Sequence, residues 1–359
     1  MNVPTPFSCR YTPEVPKLLH QLGATIALST YQAGKLIFLS ARDATALVQL
    51  PRNFAKAMGV AEDPETDRLA VACIDRVEVF RNSAALAAHH PKTPGKFDAL
   101  YMPRATFYTG PLDLHDLHFG ADDKLFAVNT RFSCIVEVND RASFTPVWRP
   151  PFVDAIAGDD RCHLNGMAME AGRPRYVTAF NQGNSAGSWR ANITQTGIVM
   201  DVTTNEVVAE GLAMPHSPTL VGGELYLCES ATGDVVRIDR ATGEKEVVVS
   251  LGSFVRGMSA VGDFLFVGLS RMREGSRTFG QIAANLPHNR AGIMIIHLPT
   301  RSKLGLIEYT NSVEEIYDVH ILQGKRRPNV LTTADALHRD GVTTPDTTFW
   351  RKPDTTETT

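Results

Sequence analysis

No run of apolar residues in this sequence approaches the roughly 18–20 needed to cross a bilayer as a helix, so a helical membrane anchor is not expected. The opening segment MNVPTPFSCRYTPEVP lacks the basic stretch and apolar run of a signal peptide, and a cytoplasmic location is the expectation. Charge excess is missing too. Thirty-six Lys and Arg against 39 Asp and Glu leave a net charge of −3, without the basic footprint of a nucleic-acid binder. The densest basic run, Lys325-Arg326-Arg327, reads as a solvated turn. Cysteine is sparse: five residues, at 9, 73, 134, 162 and 228, include no CxxC pair. That suits a reducing cytosol, with most of these thiols buried as small apolar groups.

Helical periodicity is also scarce. Short β-branched or alternating runs fill the chain instead, among them TIALST, KLIFLS, RLAVACI, KLFAVN, ELYLCES, FLFVGLS and IMIIHL, with turn residues between them. Six segments share one form: a polar or glycine start, a short apolar strand, a tight turn and a second strand. They begin at Met58, His115, Asn165, His216, Arg256 and Tyr317, separated by 57, 50, 51, 40 and 61 residues. Each interval can hold a four-stranded propeller blade. Three strands precede the first segment without an inner strand of their own, and the last segment has too few strands after it. Pairing the two ends closes the ring and removes its edges. The sequence therefore predicts an all-β, six-bladed β-propeller over residues 1–342, its last blade made from both termini, with seven blades as the alternative. Residues 343–359 read as a Thr/Pro-rich, mobile tail.

In such blades the loops entering the inner strands share one face with those joining second and third strands; this is called the funnel face below. The opposite turns (EDPETDR, GADDK, EAGRP, VGGE, VGD, QGKRRP) carry only turn chemistry. On the funnel face, aligned inner strands bring Met58, His115, Asn165, His216, Arg256 and Tyr317 into one column, and Gly59, Asp116, Gly166, Ser217, Gly257 and Asp318 into the next. His118 and His320 lie two residues deeper, and His163 stands just above Asn165. Loops after the second strands add Tyr31, Gln32, Asn129, Arg131, Asn181, Glu229 and Arg271. Two long loops, 181–197 and 271–292, are expected to cover this face.

His115, Asp116, His163, His216 and Asp318 are the candidate catalytic residues of an axial funnel. Tyr31, Gln32, Asn129, Arg131, Asn165, Asn181, Glu229, Arg256, Arg271 and Tyr317 are candidates to bind a small polar or peptidic substrate. His115, His163, His216 and His320 form a candidate site for a divalent transition metal, with Asp116 and Asp318 orienting the rings. Metal-dependent hydrolase, lyase or oxygenase chemistry is open on this reading. The arginines, with Arg190, suit a substrate carboxylate or phosphate. Gly183-Asn184-Ser185-Ala186-Gly187 matches GxSxG, but no helix follows as a nucleophile elbow requires. Cys162 and His163 are neighbours on an extended segment and point apart. The alternative function is noncatalytic: a propeller presenting this face to a peptide or protein partner, with no nucleic acid or membrane involved.

The segments STYQAGKL (29–36), LHDLHF (114–119), RCHLNGMAM (161–169), MPHSP (214–218), GLSRMRE (268–274) and EIYDVHIL (315–322) resemble an uncharacterised bacterial domain-of-unknown-function family. That resemblance implies a propeller-like fold and no settled activity. The layout is also distantly similar to gluconolactonase-like six-bladed propellers, which hold a divalent cation through carboxylates and Asn. Histidines replace those groups here, so neither cation nor lactone hydrolysis carries over.

Overall fold

The computed structural model describes residues 5–272, 282 and 286–351. Six four-stranded antiparallel blades surround one axis, each built from strands consecutive in sequence except for the blade that closes the ring; two blades gain a fifth strand from elsewhere in the chain. Blade 1 comprises Val60–Asp63, Arg68–Ala72, Arg76–Asn82 and Ala99–Tyr108. Blade 2 comprises Leu114–Phe119, Leu125–Asn129, Cys134–Glu137 and Thr145–Trp148. Blade 3 comprises Gly166–Glu170, Arg173–Ala179, Gly197–Asp201 and Val207–Leu212. Blade 4 comprises Pro215–Val221, Glu224–Glu229, Asp234–Ile238 and Lys245–Ser250. Blade 5 comprises Phe254–Val261, Phe264–Ser270, Gly292–His297 and Ser302–Tyr309.

The closing blade takes its inner strand, Asp318–Leu322, from late in the chain and its outer three, Thr25–Thr30, Lys35–Asp43 and Ala46–Asn53, from early in it. Thr25 pairs with Leu322 and Ser29 with Asp318, so both ends of the ring meet in one ladder. The ring has six blades rather than seven. Val60, Leu117, Met167, Met258 and Val319, which alternate with the polar columns, are buried between neighbouring sheets.

Segments outside the repeats act as straps. Pro328–Val330, which the repeat pattern places beside the last inner strand, finds that position filled by Thr25–Thr30. It crosses to blade 1 instead and pairs parallel with Ala99–Tyr101. Cys9–Tyr11 adds a fifth strand to blade 5. The helix Glu14–Leu22 buries Val15, Leu18 and Leu19 in the core shared by blade 5 and the closing blade, then stops at Gly23, whose φ of 60° favours glycine. The expected tail boundary at residue 343 falls inside a hairpin, Gly341–Thr343 with Thr348–Trp350. Its Trp350 indole donates to the Leu86 carbonyl at 3.0 Å. Residues 352–359 lie outside the described ones.

Where the inner strands begin, the column Gly59, Asp116, Gly166, Ser217, Gly257, Asp318 forms a neck, and its alternation has a physical cause. Asp116 Oδ2 accepts from the Met167 N–H at 2.8 Å, Ser217 Oγ from Gly257 N–H at 2.9 Å, and Asp318 Oδ2 from Val60 N–H at 2.9 Å. Each acceptor thus bonds the blade that follows. The backbone of each acceptor presses on the glycine of the blade before it. A Cβ on Gly59 would lie 3.0 Å from Asp116 Cα, one on Gly166 3.0 Å from Ser217 N, and one on Gly257 2.8 Å from Asp318 Cα. Three blade pairs are stitched into one closed cycle.

Candidate functional site

Above the neck, on the funnel face, Tyr31, Asp113, His115, His163, Phe254, Arg256, Arg271 and Tyr317 surround a cavity of about 270 Å³. A narrower space of about 60 Å³ continues along the axis past His216, Asp116 and Asp318 to His118 and His320. His115, Arg256 and Tyr317 line both spaces and separate them.

The chain reaches His163 through an irregular segment with left-handed backbone at Asp160 (φ 49°) and at His163 itself (φ 52°). Such strain in non-glycine residues concentrates at functional sites. It aims His163 Nδ1 at Asp160 Oδ2, 3.0 Å away, and that same oxygen accepts from the Trp189 indole at 2.9 Å. The imidazole packs against both Phe180 and Trp189, with ring centres 4.5 and 4.3 Å away. With Nδ1 donating to the carboxylate, Nε2 of the neutral ring carries a lone pair.

His115 and His216 adopt the same tautomer for local reasons. His115 Nδ1 donates to the Asp113 carbonyl at 2.9 Å. Burial first, then the neighbouring His163, holds His115 well below the usual imidazole range. His216 Nδ1 lies 2.7 Å from Ser230 Oγ, whose own proton goes to the Val255 carbonyl at 2.5 Å. Burial and the charge of Arg256 hold His216 well below its ordinary value as well. His115 meets His163 edge to face at 5.0 Å and Tyr317 at 5.3 Å.

Cationic and phenolic groups form the opposite wall. Arg256 donates to Glu315 Oε1 at 2.5 Å, and its guanidinium carbon sits 3.9 Å from the Tyr317 ring centre. Tyr31 stacks on Tyr317 at 5.9 Å, and Lys56 lies over Tyr31 at 4.5 Å while pairing with Asp113 at 3.1 Å. Burial raises Tyr317 well above the ordinary phenol range, so it stays a donor. Yet the buried Tyr317 hydroxyl and Arg256 Nε have no hydrogen-bond partner among the described residues. Native proteins leave few buried polar atoms unpaired, and those near a cavity point to a ligand.

The remaining candidates scatter. His320 lies past the neck with Nε2 3.7 Å from Glu62, and His118 Nε2 lies 3.2 Å from Asp116. Burial opposes charge on His118, but Asp116 outweighs it and raises the group above its ordinary value. Asp116 and Asp318 face backbone N–H groups rather than His115, His163 or His216, because the neck claims both oxygens of each. Among the described residues no three of His, Cys, Asp and Glu are grouped to hold a metal ion. The four histidines expected as ligands instead pack against aromatic rings or beyond the neck.

Glu229 is 1% exposed and turned into blade 4, accepting from Ala213 N–H and from Lys245 at 3.0 Å. Asn165 bridges the His163 carbonyl and Thr178, and Asn181 donates to Ser188. Asn129 Oδ1 accepts from Phe132 N–H, which tightens a turn. Arg131 sits 3.9 Å from Asp113, Gln32 is exposed, and Arg190 covers Trp189 at 4.1 Å. Arg271 reaches the cavity while donating to the Tyr309 carbonyl at 2.9 Å.

Burial pushes the Cys162 thiol up to about 12, which removes it as a nucleophile. Ser185 is exposed and followed only by the short turn Ser188–Arg190. Of the two long loops, 181–197 folds Trp189 against His163; most of 273–285 lies outside the described residues. Sequence reasoning missed Asp160, Phe180, Trp189 and Phe254. The signal for Asp160 was its place three residues before His163 in the same connection.

A six-bladed ring closed through one shared blade, with a cavity at one mouth of its axis, defines a β-propeller. The chain belongs to the family described as domain of unknown function DUF4915, which matches residues 13–331. No curated protein matches it. A chain in the crystal structure of a nidogen/laminin complex is similar in fold, with a TM-score of 0.54 and 11% identity over 84% of this chain and 99% of that one. A protein of unknown function from Bacteroides caccae aligns with a TM-score of 0.49 and 8% identity over 83% and 98%. A catalytically inactive virginiamycin B lyase from Staphylococcus aureus with quinupristin aligns with a TM-score of 0.39 and 12% identity over 68% and 73%. Among the described residues no helix is long and apolar enough to cross a membrane.

Proposed function

We propose that this propeller is an enzyme performing general acid–base chemistry on a small carboxylate or carbonyl compound in the funnel-face cavity. Tyr317 and Arg256 Nε donate to a substrate oxygen, and Nε2 of His163 takes the proton, its tautomer fixed by Asp160. His115, held neutral beside it, does not repel the imidazolium that forms. Tyr31 and Phe254 offer flat apolar walls, and about 270 Å³ suits a small substrate.

The observation that carries this reading is a pair of buried unpaired donors on two residues, Tyr317 and Arg256, that line the same cavity as an aspartate-oriented imidazole. A lone buried donor costs about 1–3 kcal/mol, and a substrate oxygen removes that cost. Ligand-observed NMR with small carboxylic and carbonyl compounds tests it. Compounds that bind should exchange an acidic C–H for deuterium in D₂O with wild type and not with Asp160→Asn or His163→Ala. Binding unaffected by Tyr317→Phe and Arg256→Gln sinks the proposal.

A second reading, a partner-binding face, draws on exposed apolar side chains at the same rim: Ile74, Tyr108 and Ile156 are 42%, 75% and 40% exposed. Charged substitutions at Ile74 and Tyr108 would abolish such binding and leave small-ligand binding intact.

A further inference from the structure

A larger cavity lies between blades 1 and 2, toward the back face, and shares no residue with the axial spaces. Its origin is a mismatch of strand length. Blade 1 ends in a ten-residue strand, Ala99–Tyr108, while the two outer strands of blade 2, Cys134–Glu137 and Thr145–Trp148, have four residues each. The shorter sheet leaves its neighbour partly uncovered, and a groove of about 710 Å³ opens there, with Thr343–Pro345 along one border.

The floor is apolar: Val79, Leu125 and Val138 are buried beneath it, with Phe107 and Phe119 at its sides. Three arginines reach the groove. Arg68 is neutralised by Asp63 at 2.8 Å and Asp123 at 2.5 Å. Arg81 and Arg104 pair with no carboxylate among the described residues; Arg104 donates only to the Pro103 carbonyl, at 3.1 Å. Burial and then the charge of Arg81 push Arg104 below its ordinary value, so the two cations oppose each other. A groove with an apolar floor and two adjacent uncompensated guanidinium groups is complementary to an amphipathic anion.

We propose that this groove binds a long-chain fatty carboxylate, its hydrocarbon chain on the floor and its head group between Arg81 and Arg104. The assignment is independent of the axial site. Myristate is the probe, titrated calorimetrically into the full chain. It should bind saturably, and methyl myristate and the double variant Arg81→Gln/Arg104→Gln should each bind at least about tenfold more weakly, since a charge-assisted pair is lost. Ala105→Trp, at an exposed position lining the groove, should block binding by filling it, while Tyr317→Phe, in the separate axial cavity, should leave myristate affinity as it is. These positions are on the surface, so thermal melts should confirm that the variants fold. Absence of saturable binding, equal binding of tetradecylamine, or unchanged myristate affinity in either groove variant overturns the proposal.

Discussion

The neck and the cavity above it are built from adjacent residues of the same inner strands, yet their polar atoms are treated differently. In the neck, Asp116 and Asp318 each accept from two backbone N–H groups, and Ser217 accepts from a third blade. One or two residues away, Tyr317 and Arg256 leave donors unpaired in a buried setting. Saturated polar groups hold blades together; the two unpaired donors are the ones we assign to a ligand. A carboxylate on a propeller axis is therefore not by itself a sign of catalysis, and the state of its lone pairs decides.

The sharpest way to break the comparison is at a neck glycine. Gly257→Val would press Cβ within 2.8 Å of Asp318 backbone from a position with φ 78°, and the backbone there cannot yield. We expect a loss of about 3 kcal/mol or more, read by urea unfolding. Asp116→Ala comes next. It strands the N–H groups of Leu117 and Met167 and should cost about 2–3 kcal/mol without weakening ligand binding in the cavity. An intact melting curve would show that the neck does not depend on these bonds.

Tyr317→Phe should do the reverse. Removing an unpaired buried hydroxyl should leave stability unchanged or raise it by up to about 1 kcal/mol, while ligand affinity falls; a large destabilisation would mean the hydroxyl is structural after all.

The smallest effect concerns pH. Burial, then the charge of Asp116, pushes Asp318 up to about 6 from 3.8. The folded state therefore binds that proton more tightly, and its stabilising share is present below pH 3.8 and lost as pH rises through about 6. His115 and His216 act oppositely: their folded values lie well below 6.5, so their share is lost as pH falls below 6.5. Asp318→Asn removes the term that offsets the histidines, so its melting temperature should fall more steeply than that of wild type between pH 6.5 and 4.

The ring was legible because each inner strand announces itself with a small or polar start and a tight Gly/Asp turn, and because three early strands lack an inner partner. The starts of the inner strands were legible too, since His115, Asp116, Asn165, His216, Arg256, Tyr317 and Asp318 line one narrow space, whereas Asn129, Asn181 and Glu229 do not. What they bond there was not, since a column gives height and facing but no neighbour across the blade gap. Register shifts between His216 and Thr219 and between Val255 and Met258 also break the strict alternation that column reading assumes. Asp160 escaped because left-handed turns at 160 and 163, invisible to periodicity, fold it back onto His163. Glu229 misled because its partner, Lys245, lies two strands outward in its own blade.

The shared closing blade has a consequence for how the chain is made. Thr25–Thr30 is wholly buried in the finished ring, but the strand that covers its edge, Asp318–Leu322, follows about 290 residues later. At ~5–20 residues per second on the ribosome, that edge stands open for roughly 15–60 s while five blades assemble behind it. During that interval the nascent chain carries an unpaired TIALST strand able to zip onto any other exposed strand. Slow translation of the stretch before Asp318 would prolong this exposure.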